Sequence, residues 1–559
     1  MHSLVIRGGE VVDGSGEPRR YSDVAIRDGR IVDIAPDVGA AHEVIDASGC
    51  IVAPGFIDVH THLDAQLFWD PAATPSCFHG ITTVVLANCG FGVAPCTRGM
   101  NDYLLRTLEV VEEIPFAATK SSVPFTWVTF GEYLDSLELL HLGTNVASYV
   151  PHSPLRRSVM GDRSRFEIAN DDDRRQLVRA LEQALSDGAL GLASSRGPNH
   201  VDTHGGPVPS RLADDSELEA LVRTCNGRAW QMNLQTKLAD DAAGMMAEIE
   251  RYASWSSAAS VGLTWTPFVV HRGSNEWRRV LAHNRDLADS GSGVSPQVIP
   301  LPIAVAVTLE GPCATVATRE WGNSVGFDFW SLSKVERLAS LQDPEVRSSV
   351  GEVALRENQH VPSVADWIVA VSPTRPELSG RSFGDIANGN RGEALNLFFD
   401  LACADELGTL VHVPIANGDE DAVIELVRDK HTMLGLGDSG AHTQSISNYA
   451  YPTYLLSHFV RDRRAMTIED AIHSLSARPA EFLGLSDRGQ LSAGRAADVC
   501  IFDLNEVKLS PPEILHDLPT GAPRLFQRSS GYRAIVVNGQ VTIKDDELTG
   551  TGPGQVLRV

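Results

Sequence analysis

Two histidines, His60 and His62, stand one residue apart at the end of the buried-looking segment FIDV. Such a segment predicts a strand, and residues two apart on a strand face the same side. Both imidazoles would therefore point to one place at the carboxyl end of that strand. Converging imidazoles are typical ligands of zinc, which lowers the pKa of the water that it binds to about 7. The pair is a candidate metal site, although two ordinary polar histidines would give the same pattern.

The elements that must position this pair alternate between strands and helices over most of the chain. Runs that predict buried strands occupy 80–90, 144–152, 188–195, 228–234, 261–270 and 432–440. Helical spacing is found at 171–189 and at 467–485, the second with Thr467 and Asp470 in a capping arrangement. This alternation predicts a parallel α/β fold, and about 430 residues are enough for a (β/α)₈ TIM-like barrel with insertions. Barrel enzymes carry their sites at the carboxyl ends of the strands, where the histidine pair would lie.

The two ends of the chain have a different pattern. Residues 1–54 alternate like short strands around a hairpin signal at Asp28 and Gly29, and residues 487–559 contain strand-like segments with an Asn-Gly turn. Neither end has enough strands to be stable alone, so we expect both to join in one small β-sandwich domain. The barrel would then span 55–486, with an insertion near 305–380, where the alternation fails.

Composition and charge exclude several classes of function. The chain has 559 residues, 43% of them hydrophobic, and a formal net charge of −25. This charge repels phosphate backbones and anionic membrane surfaces, so we expect neither nucleic acid nor a membrane as a partner. The eight cysteines are scattered without a CxxC pair, and there is no signal peptide or long apolar run. These features predict a cytoplasmic protein.

Five segments of the sequence resemble one known group of enzymes. They read VVDGSGEP, IDASGCIVAPGFIDVHTH, GITTVVLANCGFGVAP, GLGDSGAH and LSARPAEFLGLSDRGQLSAGRAADVCIFD. Together they resemble the D-aminoacylase branch of the amidohydrolase superfamily, the N-acyl-D-amino-acid deacylases. The resemblance covers nearly the whole chain and is weakest over the expected insertion.

The resemblance implies roles for four residues. His60 and His62 would be metal ligands, and Cys89 matches the cysteine that this branch uses as a ligand in place of a carboxylated lysine. Asp438 matches the aspartate after the eighth strand, which shuttles protons and can touch the metal. Without the motifs, the cysteine would be a small buried hydrophobe and the aspartate a turn former or a helix cap.

The sequence departs from the branch at two further ligands. The branch carries histidines at the end of the fifth strand and after the sixth. Here the fifth-strand position holds Asn233, and the sixth-strand segment offers only His271, several residues late, which could equally be a surface residue. We therefore expect one metal ion, zinc or another divalent metal, rather than two.

Four more residues are candidates for substrate contacts. His152 ends the third predicted strand and would hydrogen-bond the scissile carbonyl. Arg156, Arg196 and Lys237 lie just past predicted strands, where a group that binds an acidic substrate belongs. Each could instead be structural, and the commoner role of a barrel-rim arginine is a salt bridge. Asn233 would also face the substrate.

The expected reaction is hydrolysis of an N-acyl amino acid by a metal-activated water, with Asp438 as general base and acid. One alternative is another superfamily reaction: opening of a cyclic amide, hydrolysis of a lactone or ester, or deamination. A second alternative is a barrel that has lost catalysis and only binds its partner. Association into a homo-oligomer is left open.

Overall fold

The chain begins with five strands. The computed structural model describes residues 1–237, 241–310, 329–354 and 362–559. The strands are β1 (His2–Val11), β2 (Arg20–Arg27), β3 (Arg30–Ala35), β4 (Ala41–Asp46) and β5 (Ile51–Pro54). Asp28 and Gly29 both take positive φ, 51° and 76°, and form the expected two-residue hairpin between β2 and β3.

Strands and helices then alternate up to residue 298. The strands are β6 (Phe56–Asp58), β7 (Ile81–Leu86), β8 (Asn145–Ser148), β9 (Val150–Pro151), β10 (Gly191–Ser195), β11 (Ala229–Asn233), β12 (Leu263–Thr266) and β13 (Val294–Val298). The helices are α1 (Asn101–Glu112), α2 (Phe116–Ser122), α3 (Phe130–Glu138), α4 (His152–Met160), α5 (Asp171–Ser186), α6 (Asp215–Cys225), α7 (Ala242–Ala259) and α8 (Glu276–Asp289). Every strand predicted in this part of the chain is present.

A separate group of elements interrupts this alternation. It contains β14 (Ile303–Val307), α9 (Lys334–Gln342), α10 (Pro344–Ala354), β15 (Ile368–Val371), α11 (Phe383–Ile386), α12 (Arg391–Ala404) and β16 (Leu410–Ala416). The three strands pair antiparallel in the order β14-β16-β15. Their apolar side chains form a core cluster of their own, from Val307 to Val413. The described part of the interruption therefore reaches further along the chain than the expected 305–380.

The chain returns to the first core through α13 (Glu420–Val427), β17 (Met433–Leu434), α14 (Tyr451–Tyr454), a π-helix (Leu455–Asp462), α15 (Ile468–Leu475) and α16 (Ala477–Phe482). The helix predicted at 467–485 is thus broken at Ser476. Pro479 explains the break, because its ring lacks an N–H and crowds the carbonyl of Leu475 four residues earlier. Thr467 caps α15 as expected, accepting a hydrogen bond from the Asp470 backbone N–H.

The last eight strands include four that complete the sheet that the first ones begin. They are β18 (Val499–Phe502), β19 (Lys508–Leu509), β20 (Glu513–Leu515), β21 (Arg524–Phe526), β22 (Ser529–Ser530), β23 (Tyr532–Val537), β24 (Gln540–Lys544) and β25 (Glu547–Leu548). One nine-stranded sheet has the order β25-β24-β23-β18-β5-β1-β2-β3, with β4 paired to β1. The two ends of the chain meet in this sheet, where β18 pairs antiparallel with β5.

Apart from β14, β15 and β16, the strands from β6 to β17 pair in parallel. One sheet has the order β6-β7-β8, and another has the order β9-β10-β11-β12-β13-β17. Only Tyr149 separates β8 from β9. A parallel bridge between Thr61 and Ser439 joins the residues that follow β6 and β17. The carboxyl ends of these strands therefore lie on one side, as they must in a parallel arrangement.

Candidate metal centre

The backbone fixes His60 and His62 between two neighbouring segments. The Thr61 N–H donates to Val85 O at 3.1 Å, and the His62 N–H donates to Ser439 O at 2.7 Å. On the same side, the Asp438 N–H donates to His60 O at 3.0 Å. These bonds continue the parallel pairing past the end of β6, so both imidazoles face the carboxyl ends of the strands.

Three side chains converge there. One ligand atom from each of His60, His62 and Cys89 lies within 4.8 Å of the other two. His60 Nε2 is 3.4 Å from Cys89 Sγ and 3.2 Å from Asp438 Oδ1. The three residues are buried, whereas the Asp438 side chain is 20% exposed and thus open to a substrate. The structure brings together the four residues that the motifs single out.

The turn after β7 presents the Cys89 thiol. Ala87, Cys89 and Gly90 all take left-handed backbone conformations, with φ of 63°, 55° and 74°. A side chain at Gly90 would place a Cβ 3.0 Å from Ala193 O, so only glycine lets this turn approach β10. The Cys89 N–H donates to Gln231 Oε1 at 2.8 Å, which anchors the turn to β11.

The protonation states of these groups fit a cation. Burial lowers the pKa of His60, and it lowers that of His62 well below its usual value, so both imidazoles are neutral at neutral pH. Burial raises the pKa of the Cys89 thiol, and the charges of Glu112 and Asp438 raise it further. A thiolate at this place therefore needs a positive charge beside it. Two neutral imidazoles and a thiol that ionises on binding form a donor set typical of zinc.

The fifth and sixth strands offer no imidazole to this site. Asn233 ends β11, and its Nδ2 lies 3.7 Å from Cys89 Sγ. The residue in register with it on β12 is Thr266, whose buried hydroxyl has no hydrogen-bond partner in the described ranges. His271 lies beyond the end of β12 and is not part of the three-residue group. The late position of His271 keeps it out of this cluster, so its role as a ligand stays a prediction that the geometry of the cluster does not support.

His152 and Arg156 belong to a buried network instead of the site. His152 Nδ1 lies 2.8 Å from Ser194 Oγ, and its Nε2 lies 2.9 Å from Glu217 Oε1. Arg156 Nε also lies 2.9 Å from that carboxylate, and both side chains are fully buried. Neither ring nitrogen of His152 is left for a substrate carbonyl, and the Arg156 guanidinium cannot reach a substrate carboxylate. These contacts favour structural roles for both residues, and a substrate contact stays a prediction that they argue against.

Arg196 and Lys237 have protein partners as well. Arg196 donates to Asp215 Oδ1 at 2.8 Å and to Ala213 O at 2.9 Å, so it forms the salt bridge that is commoner for such a residue. Lys237 is half-buried, and its Nζ donates to Asn199 Oδ1 at 3.0 Å. A role in substrate binding stays a prediction for Lys237, and the pairing of Arg196 argues against such a role.

Sequence reasoning missed the residues that support the ligands. His60 Nδ1 donates to Gln297 Oε1 at 2.6 Å, and His62 Nδ1 lies 3.6 Å from Glu112 Oε1. Gln231 could have been noticed, because it is a polar residue within the run 228–234, which is predicted to be a buried strand. Gln297 lies in a strand that was not predicted from the sequence. Glu112 gave no signal, since a glutamate at a helix end is ordinary in sequence.

Comparisons with known proteins indicate one family of enzymes. The model of the amidohydrolase family matches residues 43–280 and 402–543. An N-acyl-D-aspartate deacylase of Alcaligenes xylosoxydans xylosoxydans is 28% identical, over 99% of this chain and 94% of the relative. A D-aminoacylase of the same organism is 26% identical, over 99% of this chain and 97% of the relative.

A solved structure matches the whole chain. It is the N-acyl-D-glutamate deacylase from Bordetella bronchiseptica, complexed with zinc and a phosphonate inhibitor that mimics the tetrahedral intermediate of the reaction. The TM-score is 0.66 at 25% identity, with 100% of both chains covered. Separately, no helix in the described parts of this chain has both the length and the apolar composition to cross a membrane.

Proposed function

The chain belongs to the amidohydrolase family, and we propose that it is a metal-dependent N-acyl-D-amino-acid deacylase. The observation that carries the proposal is the convergence of His60, His62 and Cys89 within 4.8 Å, with Asp438 at 3.2 Å from His60. Two relatives that are matched over 99% of the chain are a D-aminoacylase and an N-acyl-D-aspartate deacylase. The product would be a carboxylate and a free D-amino acid.

We also propose the architecture that goes with this activity. The parallel strands from β6 to β13, with β17, form a (β/α)₈ barrel, in which β8 and β9 count as one strand and the bridge from Thr61 to Ser439 closes the ring. The β-rich domain comprises about residues 1–54 and 487–559, which share the nine-stranded sheet. The separate core cluster of residues 307–413 supports an insertion between the seventh and eighth strands.

One zinc ion per chain is the proposed cofactor. His60 and His62 would hold it through Nε2, since Nδ1 of each ring faces a protein group, and Cys89 would hold it through Sγ. The branch's second set of ligands is incomplete, because Asn233 and Thr266 stand at the ends of the fifth and sixth strands. An ion bound there supplies Lewis acidity toward the amide carbonyl and makes water more acidic.

Asp438 is the proposed proton carrier. Its carboxylate lies beside His60 Nε2 and is partly exposed, so it can accept a proton from the attacking water and donate it to the leaving nitrogen. Its backbone position is fixed, since its N–H donates to His60 O and its φ is 49°. The side chains of Asn233 and His200 could orient a substrate. The His200 ring is held by a hydrogen bond of 2.6 Å between its Nδ1 and Ser195 Oγ.

A substrate panel tests this proposal. Purified protein with one equivalent of zinc is incubated with N-acetyl derivatives of D- and L-amino acids that bear acidic, neutral and apolar side chains, and the released amine is measured. We expect release from at least one D-derivative, with the L-enantiomers slower, and no release by the Asp438→Asn variant. The panel also includes a cyclic amide and a lactone, because the strand ends at Asn233 and Thr266 lack an imidazole. Turnover of only one of these two compounds, and of no N-acetyl amino acid, would overturn the deacylase assignment.

A further inference from the structure

The two proposed histidine ligands have different partners behind them. His60 Nδ1 donates to Gln297 Oε1, a neutral amide, at 2.6 Å. His62 Nδ1 faces Glu112 Oε1 at 3.6 Å. His62 Nδ1 and Glu112 Oε1 are both buried, and neither has a hydrogen-bond partner in the ranges that the structure describes. Two buried polar atoms that face each other just beyond bonding distance form a pair that a small movement would close.

The place of Glu112 cannot be explained by helix stability. It is the last residue of α1, where the helix dipole disfavours a negative charge, and its side chain is only 4% exposed. Burial of a carboxylate is also unfavourable unless a cation or a donor accompanies it. His442, whose Nε2 lies 3.9 Å from Glu112 Oε2, offsets part of this cost on one side of the carboxylate. A positive charge near His62 would offset it on the other side.

The contacts of Glu112 aim its carboxylate at His62. The His442 N–H donates to Glu112 O at 2.5 Å, which ties the end of α1 to the segment after β17. The other oxygen, Oε2, lies 3.9 Å from His442 Nε2, and His442 Nδ1 lies 3.3 Å from Glu113 Oε2. The carboxylate thus has an imidazole on either side, and one of them belongs to a proposed metal ligand.

We infer that Glu112 is a positioning residue for His62: its Oε1 accepts a hydrogen bond from Nδ1–H and so directs Nε2 toward the ion. This inference rests on the proposed function. A carboxylate behind a ligating imidazole fixes its tautomer and makes it a stronger donor than an amide does. His62 is therefore the stronger imidazole donor of the site, and His60, backed by Gln297, is the weaker one.

Cobalt(II) binding tests the inference without any measurement of activity. The dissociation constant is obtained by competition with a chelating indicator, and the visible spectrum is recorded at saturation. Wild type is compared with Glu112→Gln and with the matched control Glu109→Gln, which changes an exposed residue of the same helix. We expect Glu112→Gln to bind cobalt about 10- to 100-fold more weakly and with an altered d–d spectrum. The control is expected to match wild type in both.

The outcomes separate this inference from the proposed function. Equal affinity and an identical spectrum for Glu112→Gln and wild type would overturn the inference and leave the proposed function in place. A wild type that binds no cobalt would overturn both. If thermal unfolding shows that Glu112→Gln does not fold, Glu112→Asp decides by the same criteria. It keeps the charge but withdraws the oxygen by one carbon, so weaker binding and a changed spectrum are again expected.

Discussion

The two sides of the site differ in what their strand ends supply. On one side, β6, β7 and the segment after β17 present His60, His62, Cys89 and Asp438. On the other side, the ends of β11 and β12 present an amide and a hydroxyl, Asn233 and Thr266, in register with each other. Both sides lie at the carboxyl ends of parallel strands, so position in the fold alone does not make a metal ligand.

The amide side still takes part in the site by supporting the ligand side. Gln231, two residues before Asn233 on β11, accepts a hydrogen bond from the Cys89 N–H. Asn233 itself approaches the Cys89 sulfur. The difference between the two sides teaches that β11 can orient the cysteine without supplying an imidazole of its own. The proposal that the site holds one ion rather than two can be tested by variants on each side.

The largest effect is expected on the ligand side, from Asp438→Asn. The amide cannot accept the proton from water, so kcat should fall by about 10²- to 10⁴-fold. Metal content should stay at the wild-type level, because Asp438 is not one of the three converging ligands. Steady-state kinetics on the best substrate and elemental analysis check both statements. Full activity in this variant would show that Asp438 is not the proton carrier.

A variant away from both sides sharpens the comparison. Glu217→Ala leaves the buried Arg156 and His152 without their shared carboxylate, so the free energy of unfolding should fall by about 3–5 kcal/mol. Metal content of the folded protein should not change. Glu219→Ala, an exposed residue of the same helix, is the control. Loss of metal in Glu217→Ala at a temperature where it is folded would mean that the network of His152 and Arg156 supports the metal site.

On the amide side, Gln231→Ala removes the acceptor of the Cys89 N–H. A buried donor left without a partner costs about 1–3 kcal/mol, and denaturant unfolding should show a loss of stability in this range. The cysteine turn should also be less well oriented, so zinc should bind more weakly in a chelator competition. Unchanged zinc affinity would mean that the amide side does not support the ligand side.

Asn233→His tests the comparison in the opposite direction. Its side chain approaches the Cys89 sulfur, so an imidazole there can reach an ion bound to that sulfur. We expect zinc to bind on the order of tenfold more tightly, which corresponds to about 1.4 kcal/mol. Chelator competition measures the change. No gain in affinity would show that β11 points its end residue away from the ion.

The smallest effect concerns His442 and the charge of the ligand side. Burial lowers the pKa of His442, but the hydrogen bond to Glu113 and the charges of Glu112, Glu113 and Asp438 together outweigh burial and raise the pKa to about 9. Because the folded pKa lies above the ordinary 6.5, the stabilising contribution is complete below about pH 6.5 and is lost as the pH rises through about 9. In metal-free protein, the stability difference between wild type and His442→Gln should therefore shrink from pH 6 to pH 10, as followed by urea unfolding. A constant difference would contradict the raised pKa.

Local patterns predicted the strands, and they predicted that His60 and His62 lie together at a strand end. The alternation of side chains along a strand is enough to place His60 and His62 on one side. Cys89 and Asp438 came from motif resemblance, because a lone cysteine or an Asp-Ser-Gly turn has no spacing that indicates a metal.

The supporting groups could not be predicted, since they depend on tertiary contacts. Gln297 lies 237 residues from His60 in sequence, and the approach of Glu112 to His62 depends on where α1 ends. Burial was equally hidden for Arg156, whose guanidinium looked like a substrate-binding group from its position alone and proved to be fully buried.

Metal content per chain is the most direct test of the central claim that His60, His62 and Cys89 hold one ion. Protein purified without added metal is analysed by elemental analysis, with His60→Ala and His271→Ala beside the wild type. The account predicts about one zinc ion per chain, lost in His60→Ala and retained in His271→Ala. Two ions per wild-type chain with one lost in His271→Ala, or no metal under any loading condition, would contradict it.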